Sequence, residues 1–378
     1  MAQKHILIIC GEASGDLNAA NLTQNILALN PKIKISATGG MFLRSAGAEI
    51  FADIKGLAVI GLFDVLKKLP KFFALKKLIL KKIETEKPDA VILVDFSGFN
   101  LRLARAINKR VPVIYYISPQ VWASRPGRIK TIKEYIDKII VIFKFEQEFY
   151  KKYGIAADFV GHPLLDIVAP TMDKNAFLHE CGLSETKTTI ALLPGSRAAE
   201  IENILPVMLK ACSIMAGKIK NIQFIIAKSP NVNSRLYQRR IKGINLDLKT
   251  IENKTYDCLN IADFCMVASG TATLETAVMQ KPFIVIYRMN ILNYLLYRPQ
   301  VKIPYICMAN IVAGKKIVPE FIQFQATPQK IAEAGLKIIG NPQEKERMRA
   351  ELAQVKSSLG QTGAAGRAAQ IILDFLTK

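Results

Sequence analysis

The chain has 378 residues, half of them hydrophobic, and a formal net charge of +21. The length exceeds one ordinary core and implies two domains, and the apolar share excludes a disordered chain. The charge calls for an anionic partner: 25 Lys and Arg stand against 14 Asp and Glu in residues 1–165, so the excess is spread along the chain and is not a basic tail.

Cys10, Cys181, Cys212, Cys258, Cys265 and Cys307 are scattered, form no C-x-x-C pair and mostly lie in apolar runs. That fits reduced, buried thiols better than a disulfide frame or a zinc site. His5, His162 and His179 share no ligand spacing, so no metal cluster and no cofactor is expected. The apolar run before Gly11 is too short for a signal-peptide core, and none reaches the roughly 18 residues of a spanning helix. The chain is therefore not expected to cross a membrane.

Residues 5–10 read as a first strand, Gly11-Glu12-Ala13-Ser14-Gly15-Asp16 as its turn, and 17–29 as a helix. A strand, a glycine turn and a helix open a doubly wound domain, whose ligands sit above the strand's carboxyl end. Gly11 and Gly15 do not make a G-x-G-x-x-G fingerprint, and no G-x-x-x-x-G-K-[ST] occurs, which weakens NAD and ATP readings. A second strand near 34–37 ends in Thr38-Gly39-Gly40. Residues 62–83 then alternate large apolar groups with seven lysines, among them Lys67, Lys68, Lys76 and Lys77, and contain one acid, Asp64. Such a basic amphipathic helix, with Phe72 and Phe73 on its other face, suits the interface of an anionic bilayer; a surface helix with solvated lysines is the alternative. Pro70 is expected to break or kink it.

Ala90–Val94 is a buried strand that delivers Asp95 at its carboxyl end. A carboxylate there can act as a base or cap the following helix. Val111–Ile117 leads into Ser118-Pro119-Gln120-Val121-Trp122-Ala123, where the only tryptophan either meets a ligand or lipid or packs beneath the loop. Pro163 and Pro170 mark the domain boundary, and a fresh α/β series follows. Thr188–Leu193 is a strand whose turn, Pro194-Gly195-Ser196-Arg197, places a guanidinium at its tip. Arg197 can clamp phosphate oxygens there or pair with Glu200. Further strands at 222–227, 264–267 and 283–287 complete the series. In Ala268-Ser269-Gly270-Thr271-Ala272-Thr273-Leu274-Glu275 a small-residue turn opens a helix, leaving backbone N–H groups free for an anion, and Glu275 follows one turn later; an ordinary βα turn is the alternative. The boundaries expected are 1–165 for a first α/β domain, 166–340 for a second and 341–378 for a helical tail. Whether the segment past Thr327 packs on its own first domain or on a neighbour's, as in a homodimer, stays open.

Two doubly wound Rossmann-like domains facing a cleft, with a diphosphate turn in the second, point to a GT-B-type glycosyltransferase. The Gly11–Asp16, Ser118–Ala123, Leu193–Arg197 and Ala268–Glu275 motifs together, in order from the first strand to about Gln323, closely resemble the lipid A disaccharide synthase family (glycosyltransferase family 19 type). The resemblance implies an inverting hexosyltransferase of lipopolysaccharide biosynthesis. UDP-2,3-diacylglucosamine donates its sugar to the 6-hydroxyl of 2,3-diacylglucosamine 1-phosphate, giving a β-1,6 disaccharide and UDP. It implies Asp95 as the base and Arg197 as a second catalytic group. It also implies Ser196, Arg197, Ser269, Gly270, Thr271, Glu275 and Asn310 on the UDP side, and Glu12, Ser14 and Gln120 on the acceptor side. Acylated substrates imply work at the cytoplasmic face of the inner membrane, as a peripheral protein. Lys67, Lys68, Phe72, Phe73, Lys76 and Lys77 would make that contact. One departure is Ser97, where the family is expected to carry proline; it bears on loop rigidity and leaves the carboxylate untouched. The chain shows no nucleic-acid-binding module, and its basic run alternates with aliphatic residues, which argues against a nucleic-acid partner. Another UDP-sugar enzyme of the same architecture is the nearest rival reading.

Overall fold

The computed structural model describes residues 3–55, 62–123, 127–291, 294–295 and 303–377, with residues 62–68 described through their backbone alone. The chain forms two compact units, Met1–Pro163 with Leu359–Lys378, and Leu164–Ser358.

In the first unit the elements alternate. They are β1 (His5–Ile9), α1 (Ala13–Leu29), β2 (Lys34–Gly39), α2 (Met41–Ser45), β3 (Glu49–Asp53), α3 (Leu62–Glu86), β4 (Ala90–Val94), α4 (Ser97–Ile107), β5 (Val113–Tyr116), α5 (Arg128–Tyr135), β6 (Lys138–Val141), α6 (Lys144–Lys151) and β7 (Ala157–Phe159). The seven strands lie in the order β3-β2-β1-β4-β5-β6-β7, and their pairings are parallel. The central strands are apolar without alternation because helices cover both faces. Ile6, Ile8 and Cys10 pack with Leu22 and Ile26 of α1, whereas Leu7 and Ile9 pack with Ile79 and Ile83 of α3 and Leu103 of α4. Each such side chain, fully buried, contributes about 1.5–3 kcal/mol.

The second unit contains α7 (Leu164–Ile167), α8 (Lys174–Glu180), β8 (Thr188–Leu193), α9 (Ala198–Ala216), β9 (Ile222–Lys228), α10 (Ser234–Ile241), β10 (Leu248–Glu252), α11 (Thr255–Ile261), β11 (Phe264–Ala268), α12 (Thr271–Val278), β12 (Phe283–Tyr287), α13 (Met308–Ala313), β13 (Glu320–Ile322), α14 (Pro328–Ile339) and α15 (Pro342–Ser358). Its six strands follow the order β10-β9-β8-β11-β12-β13 and are also parallel. A last helix, α16 (Ala364–Leu376), returns to the first unit.

Both sheets are thus doubly wound, and in each the strand order reverses once. In the first unit the reversal falls between β1 and β4, which run in register from Ile6 opposite Ala90 to Ile9 opposite Leu93. In the second it falls between β8 and β11, where Leu193 stands opposite Val267. Ligands of open α/β sheets bind outside the carboxyl ends of the strands at such a reversal. The turns after β1, β8 and β11 carry three of the four sequence motifs and the turn after β4 carries Asp95, whereas the fourth motif, Ser118–Ala123, follows β5.

Two expectations are corrected here. Segment 341–378 is not a single tail: α15 belongs to the second unit, while residues from Leu359 onward belong to the first. There Ala368, Ala369 and Ile372 of α16 fill the α1 face of the core, and Arg367 donates to the carbonyls of Val160 (2.9 Å), Thr362 (2.7 Å) and Gln361 (2.6 Å). Pro70, expected to break or kink the basic helix, does not break it: it lies inside α3, which continues from Leu62 to Glu86. Its ring is exposed.

Candidate active site

In the first unit, Asp95 follows the last residue of β4 and stands across from the turn after β1. Asp95 and Phe96 both take a left-handed backbone conformation, with φ of 48° each, and Phe96, not Asp95, is the N-cap of α4. Asp95 therefore does not cap the helix, the alternative its position allowed. Non-glycine residues in that region store strain of about 1–3 kcal/mol each, so the surroundings must hold them. Tyr115 donates its hydroxyl to the Asp95 carbonyl at 2.6 Å, and the Asn100 side chain donates to the same oxygen at 2.8 Å. These two contacts supply rigidity at a loop where Ser97 replaces the expected proline; Ser97 itself accepts from Arg128 at 3.3 Å. The Phe96 ring lies across the end of β1, where a Cβ on Gly11 would come within 2.3 Å of it. Only glycine fits there.

The Asp95 carboxyl is pushed up from the ordinary 3.8 to about 6, first by burial and then by the neighbouring Glu12 carboxylate. Glu12 and Ser14 are exposed at the N-terminus of α1, and Glu12 is the one whose charge reaches Asp95. Asp16 of that motif plays a different part. It is buried and accepts from the backbone N–H groups of Gly40 (2.7 Å), Phe42 (3.1 Å) and Leu43 (3.4 Å), so it caps α2.

The loop after β5 begins with another strained residue, Ile117, whose φ of 60° is costly for a β-branched side chain. Gln120 is exposed on this loop. Ser118 and Trp122 on either side of it both donate to Glu146 of α6, at 3.3 and 3.1 Å. Glu146 went unnoticed in the sequence because an acid in the first turn of a helix is commonplace. Only the fold shows that it is 1 % exposed.

In the second unit, Ser196 and Arg197 are exposed at the β8 turn, and Arg197 is the N-cap of α9. Arg197 pairs with Glu200 at 3.4 Å, and the same carboxylate takes the Ser196 N–H at 2.8 Å. This pair is solvent-exposed and weak, so the guanidinium can exchange it for a phosphate. Gly270, with φ of 147°, caps α12 without any side-chain contact, and Thr271 is exposed beside it. Ser269 donates its hydroxyl to the Ile306 carbonyl at 3.3 Å. The first N–H groups of α12 thus face outward at a positive helix end. Glu275 lies one turn further along and accepts from Tyr256 at 3.1 Å, while burial pushes its carboxyl upward.

Asn310 does not share this arrangement. It is fully buried; its oxygen accepts from Ile317 (2.8 Å) and Val318 (3.0 Å), and its nitrogen donates to the Val318 carbonyl (3.0 Å) and Glu320 (2.8 Å). Every hydrogen-bonding position of the amide is used within the protein, so it shapes the 306–320 segment and has nothing left for a nucleotide. Lys67 and Lys68 have side chains outside the described residues. On the described part of α3, Phe72 turns inward with ring centroids 5.9 Å from Phe96 and 6.0 Å from Phe99. Phe73 is 62 % and Leu78 43 % exposed, with Lys77 exposed and Lys76 lying 5.5 Å from the Phe73 ring. Among the described residues no group of three or more His, Cys, Asp or Glu could hold a metal ion.

The family model described as lipid-A-disaccharide synthetase matches residues 6–373. The lipid-A-disaccharide synthase of Syntrophus aciditrophicus is 42 % identical over 380 residues, covering 100 % of this chain and 99 % of that protein. That of Myxococcus xanthus is 36 % identical over 372 residues, covering 98 % and 97 %. Among solved structures, the calicheamicin glycosyltransferase CalG4 superposes with a TM-score of 0.63 at 16 % identity, covering 100 % of this chain and 99 % of that one. The S. aureus MnaA–UDP co-structure does so at 0.64 and 16 %, covering 99 % and 97 %. At such identities these structures speak for the fold alone, a two-unit α/β fold of the GT-B class.

Proposed function

The chain belongs to the lipid-A-disaccharide synthetase family, and from that premise we propose how its residues carry out the transfer. The protein is a glycosyltransferase that makes lipid A disaccharide. It moves the sugar of UDP-2,3-diacylglucosamine to the 6-hydroxyl of 2,3-diacylglucosamine 1-phosphate with inversion. Asp95 is the base: it takes the proton of the acceptor hydroxyl as that oxygen attacks the anomeric carbon from the face opposite UDP. The bond from the anomeric carbon to the UDP oxygen breaks, and its electron pair leaves with UDP. Arg197 and the N–H groups at the start of α12 receive the charge that develops on the diphosphate, and Glu275 accepts from ribose hydroxyls. Glu12, Ser14 and Gln120 face the acceptor.

The single observation that carries this reading is the Asp95 carboxyl, poised at about 6 at the strand reversal of the first unit. A base with that value is mostly ionised at neutral pH yet still basic enough to take a proton in the transition state. Acylated substrates place the work at a bilayer. Among the described residues no helix is long and apolar enough to cross a membrane. In this reading the protein meets the anionic cytoplasmic leaflet peripherally, through Phe73, Lys76 and Lys77 with Lys67 and Lys68. Phe72 is left out because its ring is packed inward.

The test is UDP release from both acylated sugars by the purified chain. Asp95→Ala is expected to lower kcat on the order of 10²–10⁴-fold, and Arg197→Ala about 10²-fold or more. The wild-type rate should fall as pH drops through about 6, where the base takes up its proton. Near-wild-type turnover by either variant sinks the role given to that residue. Turnover independent of the acyl chains sinks the substrate assignment in favour of another UDP-sugar reaction.

A further inference from the structure

We propose that Glu146 is a positioning residue for the acceptor side of the reaction: its carboxylate grips the Ser118 hydroxyl and the Trp122 indole N–H, at the two ends of one loop, and so holds Gln120 in place between them. The proposal rests on the reading of Gln120 as an acceptor-side residue. The geometry is that of a clasp. Ser118 and Trp122 reach Glu146 Oε1 at 3.3 and 3.1 Å, and the Phe143 backbone N–H reaches Oε2 at 3.3 Å. Gln120, exposed, sits midway between the two held residues. An edge-to-face contact of Trp122 with Phe145, at 5.1 Å between centroids, backs the indole on the same helix. A loop that starts with Ile117 in a strained conformation needs such a hold, since strain persists only where the surroundings over-determine it.

All three contacts are donors, so the ionised carboxylate fits them and a protonated carboxyl would break one. Burial opposes ionisation and pushes the group up from 4.5 to about 7 while the donors pull it back. The surroundings contribute little charge of their own. The 117–123 loop carries no charged residue. Tyr150, from the same helix, is pushed far above neutrality by burial. His162, whose ring lies tilted against Phe143 with centroids 4.9 Å apart, is lowered to about 4 by burial. Across pH 5–9 Glu146 is therefore the group in this cluster that changes charge. Its acid form slackens the loop while Asp95 keeps its own, separate titration.

Trp122 is the only tryptophan in the chain, so its fluorescence reads this contact directly. In the full-length wild-type protein the emission should titrate with a midpoint near 7. The transition should vanish in Glu146→Gln and persist in Asp95→Asn. Ser118→Ala, which removes one donor to the anion, should move the midpoint upward. In UDP-release assays, Glu146→Gln should raise the acceptor KM on the order of ten-fold, the equivalent of one lost hydrogen bond. Its kcat should stay within about two-fold of wild type and its donor KM should be unchanged, with Glu146→Asp recovering part of the loss. A flat wild-type titration, a midpoint unmoved by Ser118→Ala, or a Glu146→Gln variant that loses kcat at unchanged acceptor KM overturns the proposal. If the wild type transfers no sugar, the function proposed above fails, whereas the fluorescence titration still decides the clasp.

Discussion

At the scale of single residues, the chemistry and the stability of Asp95 oppose each other. Its folded-state pKa, about 6, lies above the ordinary 3.8. The ionised carboxyl therefore costs stability above about pH 6, and below about pH 4 it costs nothing, because it is then protonated in both states. Discounted for partial exposure, the cost is on the order of 1–2 kcal/mol at pH 8. Asp95→Asn is accordingly expected to slow transfer on the order of 10²–10⁴-fold yet raise the thermal midpoint at pH 8 by a few degrees, a gain that shrinks towards pH 4; calorimetry at both values checks it. A lower midpoint at pH 8 would mean that the carboxylate is held by contacts stronger than its desolvation. Asn310 has the opposite character. It sits in a matching segment, but its amide is committed to Ile317, Val318 and Glu320, a commitment visible only once β13 and α13 come together.

At the scale of elements, α3 shows how one helix divides two tasks. Leu75, Ile79 and Ile83, four residues apart, bury into the sheet. Phe73 and Leu78 point away from it among lysines. Monomeric proteins rarely leave such residues grouped in the open without a use. Phe73→Ser with Leu78→Ser, together with Lys76→Glu and Lys77→Glu, should release the protein from vesicles of anionic lipid with little change in thermal midpoint. Each charge near the surface is worth about 1 kcal/mol, so binding should weaken more than ten-fold. Leu75→Ser in place of these should instead cost about 2–5 kcal/mol of stability, because it opens the core. Equal vesicle binding by the quadruple variant would remove α3 as the contact.

At the scale of the whole molecule, the chain's end completes its beginning. Leu359–Lys378 belongs to the first unit, nearly two hundred residues from the segment it joins. Gly161, with φ of 85°, makes room for Arg367, and a Cβ there would stand 2.9 Å from its guanidinium. The guanidinium in turn satisfies three backbone carbonyls. Arg367→Ala should destabilise the first unit by about 1–3 kcal/mol, seen as an earlier unfolding transition in Trp122 fluorescence. An unshifted transition would show that the apolar packing of α16 alone holds the end in place.

The features that can be read from the chain alone are local. Apolar runs, glycine turns and strand-tip polar residues are set by neighbours within a few positions, so the central strands, the two α/β series and the four motifs were legible in it, whereas the edge strands β3, β10 and β13 were not. The turn at Ser269–Thr271 and the carboxylate at Asp95 could be placed at strand ends for the same reason. Tertiary structure decided whatever depends on distant partners. Asp16 became a cap for α2, Phe72 an inward ring and Asn310 a scaffold amide. Glu146, unremarkable in sequence, became the buried anchor of a loop some twenty-five residues earlier in the chain. The last helix went back to the first unit. Burial and the desolvation it brings are properties of the folded neighbourhood, and no window of sequence contains them.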